Sequence, residues 1–395
     1  MNHRSSMKHI HHLLATLLLG LPLTSRAQVD LGSNGSYGAL TITASTNLTV
    51  PEDGVFHCTT ISITGTSPSG GGNVHVGFIK NNRNTPIYLL ATGDVTIDAR
   101  LYVDGSPNNG AFPGDAGPGG YSGGMASTGG QPPADGQGPG GGRAGINSSG
   151  DATQHGGSAS YGSRSTVYEK NGPVYGNALL IPLVGGSGGG GAGDAHGGGG
   201  GGGAILIGSN TRITMQDDGR IYARGGNGGA YNHGSGGAIR LVAPDISIDY
   251  WSQYVTTEKY NEGPGRIRID ALRKQMPPGH GYFTGVVSSG SNMVVFPPNM
   301  PDLKIVEAAG QTVNPNQSTP VFITVPPGSS ATQAVKVKAQ NFGGTAAVVV
   351  TLTPEFGAKT SYTLDISNPG PDFAEASVNV TFPINVTTRV DVWTR

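Results

Sequence analysis

The stretch GGSGGGGAGDAHGGGGGGGAILIGSNTRITM, residues 185–215, constrains the fold of this chain more than any other segment. Fourteen of its first nineteen residues are glycine, and an apolar, β-branched pattern follows without a spacer. Glycine can form a flexible linker. It can also let backbones approach closely, as in packed polyproline-II strands, because no Cβ atom intervenes. Since the run leads directly into a strand pattern, the sequence favours glycine that is ordered, at least at its end.

Glycine is concentrated in the middle of the chain. Residues 101–240 hold 45 of the 68 glycines. They fall between short strand patterns, in one long excursion of about 105–177 and in two shorter ones at 185–203 and 225–237. A repeat protein can extrude such loops without disturbing the neighbouring repeats. We therefore interpret the glycine as part of the architecture.

Three stretches, residues 86–110, 203–229 and 237–272, follow one plan, and residues 39–64 follow it loosely. Each has a short apolar strand, a turn, a second strand of the type Val/Ile-x-Ile, another turn and a third short strand. The alternation has period two throughout, and helical periodicity is nearly lacking. Short strands that recur about every 25 residues are typical of a β-solenoid.

The predicted fold is therefore all-β, a right-handed parallel β-helix-like solenoid with long glycine-rich inserted loops. An antiparallel sandwich, which also uses short strands and turns, is the alternative. Stacked turns of a solenoid bury a continuous apolar column. The residues predicted to face inward are Leu89, Val95, Ile97, Ile205, Ile207, Ile213, Ile221, Ile239, Leu241, Ile246, Ile248, Ile267 and Ile269.

A second composition shift lies near Pro297-Pro298, after which glycine becomes rare and the strand patterns lengthen. Six or seven strands at regular spacing are typical of a sandwich. We predict a solenoid domain over residues 28–296 and an immunoglobulin-like β-sandwich over residues 300–395. The strand patterns of the second domain are PVFITVPP, QAVKVKAQNF, TAAVVVTLTP, SYTLDISNP, ASVNVTFPINV and TTRVDVWTR.

The first 27 residues have the pattern of a signal peptide. A basic start precedes the apolar run Leu13 to Leu23, and small residues flank Arg26 at a cleavage site that ends at Ala27. The apolar run is too short to span a bilayer. No later segment approaches twenty apolar residues, so the sequence predicts no membrane span in the mature chain. The expected location is extracellular or at the cell surface.

The net charge argues against a nucleic-acid partner, and the single cysteine argues against a thiol nucleophile. The formal net charge is −1, and the sequence contains neither a basic stripe nor an acidic tail. We therefore expect no nucleic-acid partner. The single cysteine, Cys58, lies in an alternating strand pattern, which favours a buried structural thiol over a nucleophile.

Catalytic motifs are short and out of order. Asp217-Asp218, Arg266-Ile267-Arg268 and Gly279-His280-Gly281 each match a fragment of the set found in polygalacturonase-like enzymes. Here the arginine fragment precedes the histidine fragment, which reverses the order of that family, and no Asn-Thr-Asp is present. We assign no catalytic residue. A carbohydrate-active enzyme, a lyase or hydrolase on a β-helix scaffold, remains the alternative function.

Metal and ligand sites are predicted from acids and aromatic residues near the glycine loops. Asp94 and Asp98 point to one face of a strand and are weak candidates for calcium, with a solvated polar face as the alternative. No other cofactor is predicted. Tyrosine and asparagine beside glycine loops suit sugar binding, although Tyr222 and Tyr250 could instead cap the solenoid laterally. The predicted ligand-binding residues are Tyr222, Tyr231, Asn232, Tyr250 and Trp251.

Several segments resemble a group of secreted, glycine-rich bacterial proteins. The matching stretches are LGSNGSYGAL, LTVPEDGVFHCTTISI, TPIYLLATGDVTIDARLYVDG, GSGGAIRLVAPDISI and PDLKIVEAAGQTV. The resemblance covers most of residues 28–395 and implies a bacterial envelope or secreted matrix, but no particular activity. The sequence therefore favours a structural or adhesin-type protein that meets polysaccharide or other envelope proteins.

Overall fold

The computed structural model of the chain describes residues 29–65, 74–146, 155–165, 170–229, 231–249, 254–258, 263–276, 283–317 and 319–394. These residues form strands and connecting segments, and they contain no helix. The predicted all-β class is thus confirmed. Within the same residues, no helix is long and apolar enough to cross a membrane. The predicted signal peptide lies outside the described residues.

The first seventeen strands form one parallel stack. They are β1 (Gly38–Ile42), β2 (Thr46–Thr49), β3 (Val55–Thr64), β4 (His75–Ile79), β5 (Ile87–Ala91), β6 (Val95–Asp98), β7 (Arg100–Tyr102), β8 (Ala204–Ser209), β9 (Arg212–Met215), β10 (Arg220–Tyr222), β11 (Ala238–Val242), β12 (Asp245–Ile248), β13 (Tyr254–Thr256), β14 (Arg266–Asp270), β15 (Arg273–Gln275), β16 (Phe283–Thr284) and β17 (Val286–Gly290).

Equivalent strands of successive turns pair in parallel, so the stack has three columns. Column 1 contains β1, the second half of β3, β6, β9, β12 and β15. Column 2 contains the first half of β3, β5, β8, β11, β14 and β17. Column 3 contains β2, β4, β7, β10, β13 and β16. The repeats at 86–110 and 203–229 each supply one strand to every column, whereas in 237–272 the last strand, β14, already begins the next turn.

The interior of the stack is a single apolar cluster. All thirteen residues predicted to face inward belong to it, which confirms that part of the prediction. Cys58 is also in this cluster and is completely buried. Burial raises the pKa of its thiol to about 11, because the thiolate is poorly solvated there. Cys58 is therefore a structural residue, as expected.

The middle strands of column 2, β5, β8, β11 and β14, are buried on almost all of both faces. Their inward residues, such as Ile205, join the main cluster, and their outward residues, such as Leu206, join a second one. The second cluster also contains Leu183 and Tyr161 from the chain between β7 and β8, and Val295 from the segment after β17. This burial explains why β8 is apolar without strict alternation.

The glycine-rich residues form a hydrogen-bonded body that we call the glycine bundle, residues 103–203 and 223–237 as far as they are described. In the run 197–203, successive N–H groups donate to three neighbouring segments in rotation. Residues 198 and 201 donate to segment 121–124, residues 199 and 202 to segment 232–235, and residues 200 and 203 to segment 103–106. A three-residue repeat without internal hydrogen bonds is the geometry of polyproline II.

The run 185–192 follows the same rule. Gly186 donates to Gly202 and Gly189 donates to Gly199, which joins the two glycine runs in antiparallel order. Segment 121–127 donates in turn to residues 186, 189 and 192. Both runs are buried along almost their whole length. The glycines at the centre of the chain are thus ordered, and their backbones form the interior of the bundle.

The remaining strands form two antiparallel sheets. They are β18 (Asp302–Ala308), β19 (Gln311–Thr312), β20 (Thr332–Gln340), β21 (Gly344–Pro354), β22 (Thr360–Asn368), β23 (Ala374–Thr381) and β24 (Thr388–Thr394). The sheet orders are β19-β18-β20-β23 and β22-β21-β24, and both sheets contribute to one apolar core. The change from parallel to antiparallel pairing falls near the composition shift at Pro297-Pro298. The domain boundaries themselves stay a prediction.

One predicted strand of this part is wrong. The segment PVFITVPP, residues 320–327, contains no strand, and Phe322 within it is 86% exposed. Prolines at both ends of the segment lack the N–H group that a sheet ladder needs. The prolines therefore outweigh the apolar pattern, and the segment does not join a sheet.

Candidate functional site: a polar ladder on the parallel stack

The outer face of column 1 carries a line of small hydroxyl side chains, which we call the polar ladder. Strand register aligns its members from turn to turn, and the exposed amide of Gln275 ends the line. Each is exposed or half-buried, because its neighbours along the strand point into the core. The members are Thr41, Ser62, Thr96, Thr214 and Ser247.

Parallel pairing fixes the spacing of the polar ladder. Neighbouring strands lie about 4.8 Å apart, so five aligned residues span about 20 Å. The β-branched and small side chains also have few rotamers. The strands therefore present hydroxyl groups at a regular interval on a rigid surface.

A row of charges runs beside the polar ladder. Asp245 on β12 accepts hydrogen bonds from Arg212 on β9 at 3.2 Å and from Arg273 on β15 at 3.0 Å. The three residues are aligned by register, and both arginine side chains are more than half exposed. Together with the polar ladder, this charge row gives the outer face of column 1 a line of hydroxyl groups with alternating charge at one side.

The calcium candidates also lie at column 1. Asp94 accepts a hydrogen bond from the Thr211 hydroxyl at 2.5 Å. Asp98 accepts one from the backbone N–H of Asp218 at 3.1 Å. The pKa of Asp98 is raised, chiefly by burial and further by the nearby Asp217 and Asp218 carboxylates. The described residues contain no cluster of three or more His, Cys, Asp or Glu side chains that could hold a metal ion.

Tyr222 lies on the outer face of column 3, where it is only 8% exposed. Its ring stacks on Tyr102 of the preceding turn, with centroids 4.8 Å apart and planes at 17°. The Arg224 guanidinium lies 4.3 Å from the centre of the Tyr222 ring and is held by Asp104 at 2.6 Å. These contacts match the alternative in which Tyr222 caps the stack laterally.

The other two described ligand-binding candidates, Tyr231 and Asn232, lie in surroundings that differ from those of Tyr222. Tyr231 is 52% exposed and has a left-handed backbone, with φ of 59°. Asn232 is completely buried, and its amide donates to the Gly190 carbonyl at 2.7 Å and to the Gly197 carbonyl at 3.2 Å. Asn232 thus supports the bundle between two glycine runs. Tyr250 and Trp251 lie outside the described residues.

The fragments that match polygalacturonase-like enzymes do not come together as an acid pair. Asp218 forms ion pairs with Arg100 at 2.8 Å and with Arg220 at 2.9 Å. Arg266 donates to the Tyr175 carbonyl at 3.0 Å. His280 lies outside the described residues. Asp218 therefore connects successive turns of the stack, and Arg266 connects the stack to the glycine bundle.

Sequence reasoning missed the polar ladder because it searched for aromatic residues beside glycine. The signal was present in the central residue of three matching triplets, Val-Thr-Ile, Ile-Thr-Met and Ile-Ser-Ile at residues 95–97, 213–215 and 246–248. Only the strand register shows that these central residues are aligned.

Compared with protein-family models, with curated proteins and with solved structures, the chain matches none of them.

Proposed function

We propose that this chain is a secreted or cell-surface structural protein of the adhesin type. Its scaffold is a right-handed parallel β-helix with an immunoglobulin-like β-sandwich after it. The polar ladder and the charge row bind a polysaccharide of the cell envelope or matrix. The observation that carries the proposal is the register of column 1, which repeats a hydroxyl group on five successive strands.

A polysaccharide suits this face because its chemistry is also periodic. Sugar hydroxyls donate and accept hydrogen bonds, as threonine and serine hydroxyls do. The guanidinium groups of Arg212 and Arg273 add donors for hydroxyl or carboxylate oxygens. Since the strands hold these groups in place, little side-chain freedom is lost on binding. The resemblance to secreted glycine-rich bacterial proteins and the predicted signal peptide support an extracellular location.

The test is co-sedimentation of the chain with insoluble and gelled polysaccharides, with an assay for released sugar ends in the supernatant. We expect retention without release. In the double variant T96V/T214V the methyl group replaces the hydroxyl at two adjacent positions of the polar ladder, so retention should fall. The matched control T345V/T363V changes exposed threonines on β21 and β22 and should bind like the wild type.

Two results would contradict the proposal. Equal retention of the ladder variant and the wild type would remove the polar ladder as the binding face. Release of reducing or unsaturated ends would instead support the alternative, a lyase or hydrolase on the same scaffold. Variants of Asp217, Asp218, Arg266 and His280 would then be the next to measure.

A further inference from the structure

The parallel stack ends at β17 in column 2, and one edge of this strand is unpaired. β17 pairs with β14 on one side, whereas no described residue forms a backbone hydrogen bond with its other side. Edge strands can pair with another chain, and natural proteins usually protect them by shortness, charge or proline. An unprotected edge therefore indicates an interaction surface.

Hydrogen bonds on the β14 side identify the free backbone groups of β17. The Val286 N–H donates to the carbonyl of the residue before β14 at 2.9 Å, and the Gly290 carbonyl accepts the N–H of the residue after β14 at 3.0 Å. The backbone groups of successive residues point to opposite edges of a strand. The N–H and C=O groups of Val287 and Ser289 therefore point to the free edge.

The other two strands of the last turn are protected, but β17 is not. β15 carries Arg273 and Lys274, and β16 has only two residues. β17 has the sequence VVSSG, with neither charge nor proline, and its inward-facing Val287 is 46% exposed. Leu272, which follows β14, is 65% exposed. The end of column 2 thus combines a free edge with exposed apolar side chains.

The opposite end of column 2 is closed by the chain itself. There the first half of β3 bonds to the segment that precedes β1. The Tyr37 N–H donates to the His57 carbonyl at 2.7 Å, and the Ser33 hydroxyl donates to the Cys58 carbonyl at 2.9 Å. Since β17 of one copy finds no free strand of column 2 at that end of the next copy, the stack does not extend head to tail.

The segment after β17 leads away from the free edge. Arg240 on β11 donates to the carbonyls of Asn292 and Val294 at 3.0 Å. Further along, the ring of Phe296 packs on that of Tyr88 on β5, with centroids 5.1 Å apart. The chain therefore runs back along the outer face of column 2 before it reaches β18.

We propose that β17 pairs with β17 of a second copy in antiparallel order, about a twofold axis at Ser288. Val287 of each copy then lies opposite Ser289 of the other, and their free N–H and C=O groups bond to each other. Twofold dimers are the commonest closed assemblies of soluble proteins. The rotation sets column 1 of one copy against column 3 of the other, so the cations of β15 do not meet their own counterparts.

A second copy fits this end better than a separate peptide strand does. One added strand covers the edge of β17 alone. The last turns of columns 1 and 3 also end in half-buried apolar residues, Met276 and Phe283, which pack on the main cluster. A second stack covers all three columns, and it carries the same exposed Val287. The interaction surface is therefore self-complementary in both its backbone groups and its apolar side chains.

The test is the mass of the intact chain over a series of concentrations, by light scattering and sedimentation velocity. We expect a dimer at micromolar concentration that dissociates on dilution. The V287K variant adds an inward-pointing charge, and S289P removes an N–H that faces the free edge but not β14. Each should raise the dissociation constant of the dimer about tenfold or more, from a buried charge or from lost hydrogen bonds.

The matched control is V321K, because Val321 is 42% exposed and lies far from β17 in the chain. It should dimerise like the wild type. Thermal melts at low concentration check that V287K and S289P are folded, and both should melt close to the wild type. A chain that stays monomeric at every concentration, or a dimer that V287K and S289P leave unchanged, would overturn the proposal.

A disulfide tests the register directly. Ser288 and its counterpart form a pair without mutual hydrogen bonds, with Cα atoms about 4.5 Å apart, which a disulfide can bridge. The S288C variant should therefore form a covalent dimer on mild oxidation, while the T345C control, exposed on β21, should not. The native Cys58 is completely buried. Equal crosslinking of both variants, or a monomer that binds a synthetic VVSSG peptide, would contradict pairing with a second copy.

Discussion

Gly191 lies where a Cβ atom would overlap the Met125 carbonyl oxygen, whereas Gly370 has open space around it. Neither glycine has a positive φ, so alanine is conformationally acceptable at both positions. The G191A variant should lose about 3 kcal/mol of unfolding free energy, because the bundle backbones must move apart. The G370A variant should be within about 1 kcal/mol of the wild type. Denaturant unfolding measures both, and equal stabilities would contradict close packing at Gly191.

We expect His233 to make the stability of the glycine bundle sensitive to pH. It is 8% exposed, and burial lowers its pKa to about 4 from the usual 6.5, because the imidazolium is poorly solvated. Its Nδ1 accepts the Gly228 N–H at 3.3 Å, which requires a neutral ring. Between these pH values the unfolded chain binds more protons than the folded chain. Stability should therefore fall as pH falls from about 6.5 to about 4.

The variant H233N tests this dependence, because the amide oxygen can accept the same N–H without titrating. Its stability should change less between pH 6.5 and pH 4 than that of the wild type. The H75Q variant, which retains His233, should keep the full dependence. Thermal melts at a series of pH values supply the comparison. A wild-type slope in H233N would assign the pH dependence to other groups.

Columns 1 and 2 each contain an aspartate that pairs with two arginines, but in opposite environments. Asp270 on β14 bonds Arg240 at 3.0 Å and Arg268 at 2.7 Å, and both Arg240 and Asp270 are completely buried. Arg240 also donates to the carbonyls of Asn292 and Val294 at 3.0 Å. This network therefore fastens β11 and β14 to the segment that follows the stack.

The D270N variant should destabilise the chain by about 3–5 kcal/mol, because it leaves a buried guanidinium uncompensated. The matched variant D245N, in the exposed charge row, should cost about 1 kcal/mol or less, since water screens that pair. Both substitutions preserve shape and remove one negative charge. Similar losses in the two variants would show that burial does not govern the strength of these pairs.

The sequence specified strands far better than it specified their partners. Alternation alone placed Ile97, Ile213 and Ile246 in the core, because a strand with one buried face has only one workable register. It failed at residues 320–327, where prolines oppose an apolar pattern. The polar ladder could not be found from one strand at a time, since Thr96 and Thr214 are 118 positions apart in the chain.

At the scale of the whole molecule, the glycine bundle connects the other parts. Its segments cover column 2 through residues such as Leu183, and Asp135 bonds it to the second antiparallel sheet. The order of the glycine could be argued from the sequence, because the run 197–203 leads directly into β8. The pairing of the segments could not be, since glycine carries no side chain that distinguishes one neighbour from another.

The most direct test of this account is hydrogen–deuterium exchange of the intact chain at residues 185–191 and 197–203. Nearly every N–H group in these runs donates to another segment, although none belongs to a strand. We predict slow exchange there, comparable with β11 and β14, and fast exchange at residues 320–327. Exchange of the glycine runs as fast as that of residues 320–327 would contradict an ordered bundle and return the glycine to the role of a linker.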